Sequence, residues 1–198
     1  MYLPEHFKSE DWDQMVTLIE DFSFGLLISI VENNLEISHI PFRIACRKPL
    51  VLEGHVAVAN PVSKQVFAGK RFTAVFSAEH AYISPTWYHT PGFVPTWNYV
   101  AVHVAGEVKP IIDKSNLALL VEELADQFER DREDPWVPDY SHEMLTQIVG
   151  FRMYVDRVDG KFKLSQNRSK NDREGLIRGL EDGSVADIAL AKRMRECT

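Results

Sequence analysis

The apolar positions change period several times along the chain. Trp12, Met15, Val16 and Ile19 recur at helical spacing, which predicts a short amphipathic helix. Ser9 stands before them as an N-cap, with Glu10 and Asp11 placed to complement the helix dipole. Residues 24–31 and 35–44 are then two β-rich runs around Glu32-Asn33-Asn34, a turn composition that tolerates positive φ, and together they predict a hairpin. Further extended segments are expected at 50–58, 71–78, 99–108 and 148–158, the last turning at Asp159-Gly160 into a short strand over 161–164. Leu117, Leu120, Val121, Leu124 and Phe128 predict a helix with Ser115 available as cap, and the acidic-basic run 129–134 leads from it to Pro135. The pattern is helical again through Leu176, Ile177 and Leu180, and a last helix starts at Ser184, where Ser184 and Asp187 have capping-box spacing.

Six or more strands interrupted by isolated helices do not alternate as βαβ units do, so a doubly wound parallel sheet is disfavoured. The order predicts a mainly β fold with peripheral helices, in which an antiparallel sheet closes as a barrel and removes its own edges. One domain over 1–183 and a helical tail over 184–198 are expected.

Length and composition add three limits. At 198 residues the chain can bury a sizeable core without metal clips or disulfides, and Cys46 and Cys197 are too far apart to form a redox or metal motif. The longest apolar run, 22–31, is interrupted by Ser23, Gly25 and Ser29 and falls short of the ~20 residues needed to span a bilayer. The first residues lack the basic and apolar regions of a signal peptide. A cytoplasmic protein without a membrane partner is expected. The net charge of -7 opposes passive attraction to phosphate backbones, so DNA binding would need a local basic patch, for which 161–173 and 192–195 are the candidates.

No Gly-rich phosphate loop, HExxH, GxSxG or CxxC is present. The segment 79–98 reads as a non-helical loop in which aromatic rings, hydroxyls and three prolines make a semi-rigid surface. Such a surface can stack on a planar ligand and hydrogen-bond its edge. Equally, Trp87, Tyr88 and Trp97 can plug a barrel end or a subunit interface, and both readings stay open. His39, His55, His80 and His103 lack the paired spacing of a zinc site, so no metal is expected. Ser84 precedes Pro85 without the glycines of a nucleophile elbow. Lys161 and Lys163 alternate on a strand, share one face, and continue into Ser165, Gln166, Asn167 and Arg168. That set suits a phosphate and a polar ring edge, or else a solvated strand end that suppresses aggregation.

Several stretches together resemble the FMN-binding negative transcriptional regulator family, the PaiB-like proteins. They are Met1-Tyr2-Leu3-Pro4 with His6-Phe7, Ser38-His39-Ile40-Pro41, Gly54-His55-Val56-Ala57 with Ala59-Asn60-Pro61, and His80-Ala81-Tyr82-Ile83-Ser84-Pro85 with Trp87-Tyr88. Val94-Pro95-Thr96-Trp97-Asn98-Tyr99, Ile148-Val149-Gly150-Phe151 and Lys163-Leu164-Ser165-Gln166-Asn167-Arg168 complete the set. The likeness runs from Met1 to about Leu180. It implies a split β-barrel of the pyridoxamine-phosphate-oxidase type, a homodimer, FMN at the subunit interface, and repression of genes. One departure is His89-Thr90-Pro91-Gly92, which fills a loop where relatives carry a lysine after the Trp-Tyr pair.

With FMN as the implied cofactor, a buried phosphate needs paired donors. Lys163, Arg168 and His55 are the charged candidates, and Asn60 and Ser84 the neutral ones. Trp87, Tyr88 and Trp97 are candidates for the ring wall, Gln166 and Asn167 for its edge, and His39 and Asn98 join them through the motifs that contain them. Two function classes follow: a flavin-binding regulatory module, or an FMN-dependent oxidoreductase acting on a small metabolite. No general base or nucleophile accompanies the aromatic segment, which favours the module, although a flavin can itself supply the reaction. No catalytic residue is assigned.

Overall fold

The computed structural model describes residues 1–141 and 143–197. After a 3-10 turn at Glu5–Phe7 come β1 (Lys8–Ser9), α1 (Trp12–Asp21), β2 (Phe24–Val31), β3 (Asn34–Pro41), β4 (Arg43–Arg47) and β5 (Leu50–Ala57). Then follow α2 (Val62–Phe67), β6 (Arg71–Ile83), β7 (Thr96–Ile111), α3 (Lys114–Glu129), β8 (Ile148–Lys163), α4 (Lys170–Glu181) and α5 (Val185–Glu196), with 3-10 turns at Pro85–Trp87 and Met144–Gln147. The eight strands form one sheet in the order β3-β2-β6-β7-β8-β5-β4, with β1 paired to β8. The pairs β2·β3, β2·β6, β4·β5, β5·β8 and β1·β8 are all antiparallel.

Five expectations change. Helix α1 is capped by Asp11, whose carboxylate accepts from Gln14 N at 2.9 Å, while Ser9 belongs to β1. The run 35–44 breaks at Phe42, whose N–H donates to Ser23 O while its ring packs edge-on against Phe76 and Phe151 at 5.2 and 6.3 Å. Asp113, not Ser115, caps α3 by accepting from Asn116 N at 2.9 Å. Asp159-Gly160 is no turn, because β8 runs straight through it and Gly160 pairs with Ser9. A Cβ there would meet the Met15 side chain, so glycine serves close packing and not reversal. Finally, β6 extends to Ile83 and β7 starts at Thr96, which shortens the expected 79–98 loop to 84–95.

By compactness the chain divides into two units, the first made of Met1–Met15, Ser77–Val102 and Asp159–Thr198, the second of Val16–Phe76 and His103–Val158. In the first unit Val100, Phe162, Leu164, Leu176, Leu180, Leu190 and Met194 are buried. The tail expected over 184–198 is α5, with the capping box of Ser184 and Asp187 in place; Thr198 lies outside the described residues. The second unit is built on Phe42, Phe72, Phe76 and Phe151, four fully buried rings in edge-on contact. Its buried Glu53 is answered by Arg43 and by Arg152 at 2.6 Å.

Candidate functional site

In the first unit, the end of β6 and the start of β7 present a shelf of rings to solvent. His80 and Tyr82 lie two residues apart on β6 and so share a face. Trp97 of β7 keeps 55 % of its surface exposed. Its ring lies 6.2 Å from Tyr82, edge-on, and 6.4 Å from His80. Trp97 was expected here; His80 and Tyr82 were not assigned to the wall, and the period-2 alternation of β6 was the signal for them.

Lys163 at the end of β8 is tied to this shelf. Its Nζ donates to Thr96 Oγ1 at 2.7 Å and to the Trp97 carbonyl. Burial, then the neighbouring charges of Lys161 and Arg168, hold its pKa below the usual lysine value. Lys161 is itself buried, donating to Tyr2 O at 3.1 Å and lying over the Tyr2 and Tyr99 rings. Neither lysine is therefore a solvated strand residue.

The other aromatic candidates point elsewhere. Trp87 packs on α4, where a Cβ at Gly179 would meet its indole and a Cβ at Gly175 its carbonyl oxygen. Tyr88 is buried with its ring centroid 4.5 Å from Phe93, and the Arg168 guanidinium lies over both rings, 4.2 Å from the centre of Phe93. Asp172, at the first turn of α4, accepts from His89 N, Thr90 N and Thr90 Oγ1 at 3.0, 2.9 and 3.0 Å. The loop that departs from the family pattern at His89 to Gly92 is thus anchored by a carboxylate. Ser84 caps the 3-10 turn by accepting from Thr86 N. Asn98 is fully buried and donates to Ser165 Oγ at 2.9 Å. Gln166 folds back on its own turn, accepting from Leu164 N and donating to Phe162 O, and Asn167 beside it is exposed.

The second unit holds the remaining candidates. His39 is exposed on β3 and stacks on Phe24 with centroids 6.1 Å apart. His55 is half-buried in β5, and burial pushes its pKa down by disfavouring the charged imidazolium. Its Nδ1 is buried without a hydrogen-bond partner among the described residues. Asn60 donates to Ser38 Oγ at 2.9 Å and accepts from Val62 N, which joins the turn after β5 to β3.

The donor chemistry fits a flavin mononucleotide. Exposed ring surface and a cation secured to its backbone occur together in the first unit, and an orphaned buried imidazole nitrogen occurs in the second. A mainly antiparallel sheet bearing such groups defines the class of flavin-binding split barrels. The family described as "Putative FMN-binding domain" matches residues 1–157. The "Protease synthase and sporulation protein PAI 2" of Bacillus subtilis is 30 % identical over 202 residues, covering 99 % of this chain and 95 % of that protein. The chain belongs to this PaiB-like FMN-binding family, and FMN is its cofactor.

Two solved structures are similar in fold. The FAD and heme binding protein from Mycobacterium smegmatis has a TM-score of 0.65 at 13 % identity, covering 84 % of this chain and 78 % of that one. The "putative 5-nitroimidazole antibiotic resistance protein" from Bacteroides thetaiotaomicron has a TM-score of 0.61 at 15 % identity, covering 78 % of this chain and 85 % of that one. The fold is the split β-barrel of the pyridoxamine-phosphate-oxidase type.

Proposed function

We propose that the chain acts as a homodimeric flavin-binding regulatory module of the cytoplasm, with FMN held where two copies meet. The observation that carries this reading is the outward face of the β2–β3 hairpin. Register places Leu26 opposite His39, Ile28 opposite Ile37 and Ile30 opposite Leu35. Phe24 and Ile30 each keep 66 % of their surface exposed, and Leu35 keeps 63 %. A continuous apolar hairpin face of this kind needs a cover, and a second copy of the same face supplies one. In this reading Trp97, with Tyr82, walls the isoalloxazine ring, and Lys163 answers the phosphate.

A second reading, an FMN-dependent oxidoreductase acting on a small metabolite, draws on exposed His80 beside Trp97, a titratable group next to the ring surface. The Bacillus subtilis relative is named for protease synthesis and sporulation, which supports the regulatory reading. The test is made on protein as purified. A yellow dimer by spectrum and light scattering that leaves NADH and NADPH unoxidised in air fits the module. A folded monomer at dilute concentration overturns the dimer, and steady NADH or NADPH consumption assigns the oxidoreductase.

A further inference from the structure

The two basic clusters of the sequence meet in the first unit. Helices α4 and α5 bring Arg168, Lys170 and Arg173 together with Arg195 around a cleft of about 440 Å³, and Ile177 and Met194 form its apolar lining. Glu174 is its acidic lining residue. Arg195 is already paired with Glu181 at 2.7 Å. Among the described residues no carboxylate lies within ion-pair distance of Arg168, Lys170 or Arg173.

Two of these cations are fixed in place. Arg168 lies over the Phe93 ring, and Arg173 Nη2 donates to Met194 O and Cys197 O, each at 2.8 Å. Arg173 Nε is buried without a partner among the described residues. In a chain of net charge -7, a cleft lined by three cations that have no carboxylate partner among the described residues runs against the protein's own field. Such grouping raises self-repulsion unless an anion answers it.

We propose that this cleft binds a small organic anion, a phosphate or carboxylate carried on an apolar body. The head group meets Lys170 and Arg173, and the body lies on Ile177 and Met194. The volume is that of a small-molecule site, which ranges from roughly 300 to 1,000 Å³. A nucleic-acid backbone would be read by a longer track of cations than one cleft of this size offers. Arg168 and Gln166 of the lining are FMN candidates, but the residues that meet the anion, Lys170, Arg173, Ile177 and Met194, are not, so the site goes beyond the flavin reading.

The test is calorimetric titration of phenyl phosphate into FMN-saturated protein, with phenylacetate as the carboxylate probe and inorganic phosphate as the control without an apolar body. One organic anion is expected per chain, bound about tenfold or more tighter than inorganic phosphate. Lys170→Ala should weaken it by about tenfold, as loss of a charged hydrogen bond does. Glu174→Gln should tighten it, and both variants should keep the flavin spectrum of the parent. Absence of binding at millimolar probe overturns the proposal, as does affinity unchanged in both variants. Competition between FMN and phenyl phosphate would assign the cleft to the flavin, and displacement by random duplex DNA would assign it to nucleic acid; each also overturns it.

Discussion

Asp172 keeps only 2 % of its surface, and among the described residues its carboxylate is answered by neutral donors alone. The Thr90 N–H is the leading cause that holds its pKa below the usual carboxylate range, followed among the lowering effects by the Ser169 and Thr90 hydroxyls and the His89 N–H. A carboxyl with a depressed folded pKa stabilises the fold above its unfolded value, near ~3.9. That stability is lost as pH falls through the lower folded value. Asp172→Asn removes the charge and turns an amide donor toward backbone donors. Its Tm at pH 7 should drop, and its loss of stability on acidification below about pH 4 should be shallower than that of the parent, measured by calorimetry across pH. Lys163 makes the complementary case, because its ammonium already serves Thr96 and Trp97 before any ligand arrives. Lys163→Ala should cost FMN about tenfold or more in affinity, read by flavin fluorescence quenching. Unchanged affinity would remove it from the flavin site.

Within elements, hairpin and helix periods and the Ser184–Asp187 capping box were legible, and the caps of α1 and α3 were not. The β2–β3 turn carries Glu32 and Asn33 at φ 51° and 65°, where the sequence placed it, because Asn tolerates that region. Asp159-Gly160 has the same local chemistry as a turn. Only tertiary packing of Met15 against the strand shows why glycine is needed there. The same blindness hid Gly175 and Gly179, which lie inside α4, where glycine weakens a helix. Four residues apart, they share one helix face, and both meet Trp87. On an exposed helix Gly→Ala gains about 1 kcal/mol from propensity. In α4 the added Cβ of Gly179→Ala meets the indole, and a net loss of about 1–3 kcal/mol is expected from urea unfolding. A gain in stability would show that Trp87 does not rest on this helix.

Across the whole molecule, the sequence motifs fixed the family and cofactor but could not say which aromatic side chains stay open. Trp87, Tyr88 and Trp97 look alike as letters. Only the helix glycines and Arg168 draw the first two inward, while Trp97 is left at the surface. The apolar hairpin face was equally silent, since a strand with alternate positions buried reads the same whether its other face meets water or a partner. If that face pairs two copies, Ile37→Glu should give a folded monomer by light scattering with an unchanged circular dichroism spectrum. Persistence of the dimer would move the interface elsewhere.

The family match ends at residue 157, yet β8 continues to Lys163. A protein trimmed to that limit would be cut in mid-strand, losing the pairing of Lys161 and Gly160 with β1 and the ammonium that holds Trp97. It would also lose the helix on which the Trp87 loop rests. The last forty or so residues and the 84–95 segment are therefore packed against each other through Trp87, His89 and Thr90. Pieces grafted between relatives should carry both together.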